Sequence, residues 1–250
     1  MAARVHNETS KSRGDMLQLD FDHLQVQRLR QLGRRVSYKK GEIILRPTDE
    51  AESIYFIETG LVKTYATDEH GEQYLHVIYG EDEIFPLAWI IGKEGLDVIY
   101  EALTDCEIIR LPQKIFLEAI RSEVDISFSV LNKILRQFVV FAARVDNLEY
   151  KTARQRLAYR LILLGQRFGK RDQNGGIVLP SMTHHDIASS INLARESVSR
   201  ELSRFERLNL IDGQGGRLVI LSRAGLRKQI GSDAHSLFID DESYPAWLPT

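Results

Sequence analysis

Between Arg35 and Arg110 the chain alternates short runs rich in Ile, Val and Tyr with turn signals. GEIILR, SIYFIE, LVKTYA, YLHVIY and EIIRLP are separated by Gly41, PTDEAE, Gly60, DEHGE and Gly80. Short strands at this spacing predict an antiparallel roll or barrel, whose interior either holds a ligand or is filled by side chains. After Pro112 the period lengthens to that of a helix. QKIFLEAIRSEV predicts one short amphipathic helix, and a long one follows from about Ser127 to Phe168. Within it Leu131, Ile134, Phe138, Phe141, Val145, Leu148 and Thr152 step alternately by three and four, all but the last apolar. Such a narrow heptad seam favours pairing with an identical helix over packing on the chain's own roll, which calls for a broader face. GKRDQNGG then breaks the helix as a loop. Beyond it come IVLPS, three helical stretches, and LIDGQGGRLVIL, where GQGG can turn one short strand back on another.

The helical stretches from Ser181 to Ile211 carry the chemistry. Thr183 precedes an apolar-periodic run and Asp186 follows three residues later, the spacing of a capping box that starts a helix. Ile187, Ala188 and Ile191 form its buried face, and Asn192 falls where a tight turn wants a residue tolerant of positive φ. In the next helix Val198, Leu202, Phe205 and Leu208 share one face. Glu196, Ser199, Arg200, Ser203 and Arg207 fall together on the opposite one. Arginine can grip guanine N7 and O6 while glutamate accepts from the cytosine amino group, so Arg200 and Glu196 suit the two members of one G·C pair. The alternative is a solvated helix with Glu196 and Arg200 paired along it. The capped helix before and the hairpin after favour a winged helix-turn-helix whose second helix enters the major groove.

Charge agrees with this division. Residues 1–150 hold 18 basic and 25 acidic side chains, whereas residues 151–230 hold 15 basic and 6 acidic, an excess of positive charge expected where one half faces a polyanion. The single cysteine, Cys106, excludes an intramolecular disulfide and any four-cysteine cluster in one chain, and fits a reducing cytoplasm. The expectations are no resident cofactor and no metal site, no membrane span or signal sequence, and no enzyme, since no nucleophile–base pair or phosphate loop stands out. The fold class is α+β. A flexible segment (1–18) precedes an antiparallel β-roll of effector type (19–125), a dimerisation helix (126–169), a winged helix-turn-helix (170–230) and an acidic, disordered tail (231–250).

MTHHDIASSINLARESVSRELSRFERLNLI and KKGEIILRPTDEAESIYFIETGLVKTY resemble the DNA-binding signature and first roll hairpins of the CRP/FNR family of bacterial transcription regulators, over roughly residues 20–228. The resemblance implies a homodimer on double-stranded DNA, with RNA polymerase as a further partner. It implies base reading by Arg195, Glu196, Ser199 and Arg200, and backbone contacts from Thr183, with His184, Ser203 and Arg207 alongside. The dimer seam would be Leu131, Ile134, Phe138, Phe141, Val145 and Leu148. The effector side departs from the cyclic-AMP pattern. Phe85-Pro86 stands where that branch has Gly-Glu, Leu96-Asp97 where it has Arg-Ser, and Phe141-Ala142 where it hydrogen-bonds adenine. Without a cation, a buried cyclic phosphate is poorly compensated. What remains is an unknown small-molecule effector at an apolar site near Phe85, Trp89, Leu96 and Tyr100, or none. The competing function is a sensor or interaction module whose winged helix docks a protein.

Overall fold

The computed structural model describes residues 27–93, 95, 97–149, 152–213 and 217–231. The expected flexible segment 1–18 and all but the first residue of the expected tail lie outside the described residues. A helical stretch at residues 27–31 (α1) leads into eight roll strands: β1 (Arg34–Tyr38), β2 (Ile43–Leu45), β3 (Ser53–Thr59), β4 (Val62–Thr67), β5 (Gln73–Tyr79), β6 (Ile84–Phe85), β7 (Ile99–Ala102) and β8 (Cys106–Pro112). They form two antiparallel sheets, ordered β1-β8-β3-β6 and β2-β7-β4-β5. All five runs expected as strands are strands. β1, β6 and β7 are additional, and the polar RRVSY of β1 pairs along β8 from Arg34↔Arg110 to Tyr38↔Cys106. The β3–β4 turn needs Gly60, because its φ is 91° and a Cβ there would stand 2.3 Å from the Asp105 carbonyl oxygen.

Between the two sheets the roll is filled by its own side chains, including Tyr55, Ile57, Val62, Phe85, Tyr100 and Ile108. The outer face of the first sheet is covered by α2 (Leu87–Gly92), α3 (Gln113–Ser122) and the start of α4 (Val124–Glu149), through Leu87, Ile90, Phe116, Ile126 and Val130.

The one long helix expected from Ser127 to Phe168 is two. Thr152 accepts from the Gln155 amide and the Gln155 side chain accepts from the Thr152 amide, a capping box that starts α5 (Ala153–Phe168) afresh. α5 then packs with the C-terminal elements, Leu157, Leu161 and Leu164 joining Ile187, Val198, Leu202, Phe205 and Leu226 in one core. That core also takes in Leu75, Ile78 and Leu103 from the roll, so the two halves share buried apolar surface. A third sheet, β11-β12-β10-β9, consists of two-residue strands: β9 (Lys170–Arg171), β10 (Ile177–Val178), β11 (Ile211–Asp212) and β12 (Val219–Ile220). The segment expected as a plain loop is therefore mostly the turn of the β9–β10 hairpin, with Ile177 opposite Arg171. The helices of this half are α6 (His184–Ser190), α7 (Arg195–Arg207) and α8 (Arg223–Ile230). Leu208 is not on the buried face of α7 as expected. The helix ends at Arg207, the chain turns at Asn209 with φ 53°, and Leu210 takes the buried place while Leu208 is exposed.

Candidate nucleic-acid interface

α6 begins where its capping box says it must. The Thr183 hydroxyl accepts from the Asp186 amide at 3.0 Å, and Asp186 Oδ2 accepts from the Thr183 amide at 2.9 Å. Four residues link it to α7, with Asn192 at φ 54° and the Leu193 amide donating to the Ala188 carbonyl. Val198, Leu202 and Phe205 anchor α7 in the core. Arg195, Glu196, Arg200, Ser203 and Arg207 are exposed, so the face expected to read DNA is the solvent face of this helix.

Several contacts on that face bear on what each side chain can do. Arg200 donates to Ser197 Oγ at 3.2 Å, and among the described residues no ion pair joins it to Glu196. The helix-surface pair is not formed, and both the Glu196 carboxylate and the Arg200 guanidinium lie on the exposed face of the helix. His184 Nδ1 lies 2.9 Å from Ser199 Oγ, joining the first turn of α6 to the middle of α7. Thr183 Oγ1 donates to Asp186 Oδ2 at 2.7 Å, so its one hydroxyl proton is engaged in the cap.

Asp186 has a second role that the sequence did not disclose. Its Oδ1 accepts from Lys63 Nζ of β4 at 2.8 Å, and the same ammonium lies 3.3 Å from Glu101 Oε1 of β7. Glu101 in turn accepts from the Tyr65 hydroxyl at 2.8 Å. Lys63 and Asp186 are both buried, so this ion pair ties the roll to the helix-turn-helix away from solvent. Burial pushes the Asp186 carboxyl up, but the hydrogen bonds from Lys63 and Thr183 outweigh it and hold the group below its ordinary value. Arg167 of α5 on Glu83 at 2.9 Å adds a second ion pair between the roll and the C-terminal half. A lysine at the centre of LVKTYA was the available signal, since a charge inside a short apolar strand needs a partner.

The residues expected to line an effector site are largely occupied with one another. Phe85 is fully buried and stacked between Tyr55 and Tyr100, with ring centroids 5.1 and 4.9 Å away. Burial raises the Tyr79 and Tyr100 phenols above their ordinary value. Trp89 is half-buried against that core, and Leu96 lies outside the described residues. A cavity of about 570 Å³ lies elsewhere, at the junction of the roll, α4, α5 and the hairpin that follows, where Leu61, Lys133, Arg167, Phe168 and Arg217 line it. Among the described residues no group of three or more His, Cys, Asp or Glu side chains could hold a metal ion. No helix among them is long and apolar enough to cross a membrane.

A roll of this kind followed by a winged helix-turn-helix defines a class of regulators that couple a sensor-type domain to DNA. Residues 35–123 match the model of a cyclic nucleotide-binding domain, and residues 155–229 match that of a Crp-like helix-turn-helix domain. The chain is 27% identical to the transcriptional activator protein FnrA of Stutzerimonas stutzeri, over 75% of this chain and 77% of that one. To the cAMP-activated global transcriptional regulator CRP of Salmonella typhimurium it is 26% identical, over 73% and 87% of the respective chains. The solved structure of FixK2 from Bradyrhizobium japonicum superposes with a TM-score of 0.69 at 23% identity, covering 81% of this chain and 99% of that one. The protein belongs to the CRP/FNR family of DNA-binding transcription regulators.

Proposed function

We propose that the protein acts in the cytoplasm as a homodimeric, sequence-specific regulator that does not respond to cyclic AMP. It reads an inverted repeat with a TGA-like half-site core through Glu196 and Arg200, and works with RNA polymerase on its promoters. The observation that carries this reading is the outward face of α7, where Glu196 and Arg200 stand exposed and unpaired with each other opposite a buried Val198-Leu202-Phe205 anchor. An acid in the middle of that face opposes plain phosphate binding and suits a cytosine amino group.

Dimerisation is supported by the stripe Leu131, Ile134, Phe138, Phe141, Val145 and Leu148, all exposed in the single chain, with Phe138 at 69%. A twofold pair of recognition helices then calls for half-sites one helical turn apart. Independence from cyclic AMP is supported by the stacked Tyr55, Phe85 and Tyr100 rings, which occupy the roll interior, and by Asp97 beside them in sequence where the family's cyclic-AMP branch has a phosphate partner. Selecting bound duplexes from a random pool tests the reading. It should return a palindrome with one invariant G·C pair per half-site, and recovery of unrelated sequences with no common repeat would contradict it.

A further inference from the structure

We propose that His184 is a positioning residue for base reading: it fixes the polarity of the Ser199 hydroxyl, so that Ser199 offers the major groove an acceptor and not a donor. The inference rests on the reading of α7 as the recognition helix and adds a specificity-determining residue to it.

A serine hydroxyl has one proton and two lone pairs, and it rotates to suit its partner. Left to itself it therefore accepts or donates at a base edge and discriminates little. Serines in helices commonly give that proton back to a carbonyl one turn earlier, as Ser189 and Ser190 do to the Asp186 and Ile187 carbonyls on α6. Ser199 does otherwise. Its partner is His184 Nδ1 at 2.9 Å, across the turn of the helix-turn-helix. A neutral imidazole carries its proton on one nitrogen only. His184 is exposed at the start of α6, and it shares a surface recess with Thr183, His185 and Arg195. With the proton on Nε2, where an approaching phosphate accepts it, Nδ1 is left to accept the Ser199 proton. The hydroxyl lone pairs then face the groove. Those lone pairs match the amino hydrogens of adenine N6 or cytosine N4, and they meet guanine O6 or thymine O4 as acceptor against acceptor.

The test compares wild type, Ser199→Ala, His184→Ala, His184→Asn and the Ser199→Ala/His184→Ala double variant, each as the full chain with its fold checked by circular dichroism. The probes are duplexes carrying the selected inverted repeat, with each half-site base pair changed in turn. Ser199→Ala identifies the pair that Ser199 faces by flattening the preference there. At that pair wild type should favour adenine or cytosine on the facing strand by about two- to tenfold, the range of one net hydrogen bond. His184→Ala should flatten the same preference as fully as Ser199→Ala, and the double variant should go no further. His184→Asn should restore it, because asparagine Oδ1 lies the same number of bonds from the backbone as Nδ1 and accepts the same proton. The inference is overturned if His184→Ala weakens every duplex alike and leaves the ratio intact, if the asparagine variant behaves as the alanine one, if guanine or thymine is preferred, or if Ser199→Ala flattens no position. Discrimination at the core G·C pair in wild type is scored in the same series. Its persistence alongside any of those results leaves the recognition-helix reading standing, and its absence sinks that reading instead.

Discussion

Lys63 is the side chain on which the relation between the two halves most depends. It is buried on β4 and holds Asp186, which is at once the reciprocal partner in the Thr183 capping box and the roll's ionic contact on α6. Removing one partner of a buried pair leaves an uncompensated charge, so Lys63→Ala should cost about 3–5 kcal/mol, read as a lowered thermal midpoint. A midpoint unchanged within a degree would show that the pair contributes nothing. The Asp186 carboxyl is held below its ordinary value in the folded protein. Its contribution is therefore fully present above the ordinary carboxylate value and is lost as pH falls through the lowered one, below about pH 4. Acid unfolding of Asp186→Asn should accordingly be less steep than that of wild type in that range, and equal steepness would remove Asp186 from the account. This network was hard to read in advance. Lys63, Glu101 and Asp186 are far apart in sequence, and although a lysine within an apolar strand signals that a partner is needed, only the packing of α6 on the roll shows which carboxylates supply it.

At the scale of elements, strong periodicity was legible and short or polar elements were not. The five apolar runs of the roll, the capping box at Thr183 and the positive φ at Asn192 all follow from residue chemistry. β1 escaped because RRVSY is held by its ladder with β8 and carries little alternation of its own. The division between α4 and α5 was in fact written in the sequence as Thr152-Ala-Arg-Gln155, but the apolar heptad steps running up to Thr152 masked it. Thr152→Ala should destabilise the protein by about 1 kcal/mol through loss of that cap, measurable by denaturant titration. On α4 the seam expected from the heptads is an uncovered apolar stripe in the single chain. Replacing Phe138 and Phe141 with Glu should give a monomer with weakened operator binding. Sedimentation of the wild type as a monomer at micromolar concentration would contradict the dimer.

For the whole molecule, the excess of basic residues falls in the half that carries α6 and α7, and the roll beside it shares the core that holds those helices in place. The exposed face of α7 was legible residue by residue because spacing alone sets it, whereas the filled interior of the roll could be seen only once Phe85 was placed between two tyrosines. That filling predicts no binding of cyclic AMP at micromolar affinity by calorimetry. A clear isotherm in that range would show that the aromatic stack opens.

The central claim is that α7 reads bases, and a competition assay on paired duplexes tests it most directly. Wild type and Arg200→Ala are compared on duplexes that differ only at the core G·C pair of each half-site. Wild type should discriminate between them, and Arg200→Ala should lose about 1–3 kcal/mol on the specific duplex together with that discrimination. Equal discrimination by both proteins would mean that Arg200 reads no base, and the account of the recognition face would fail.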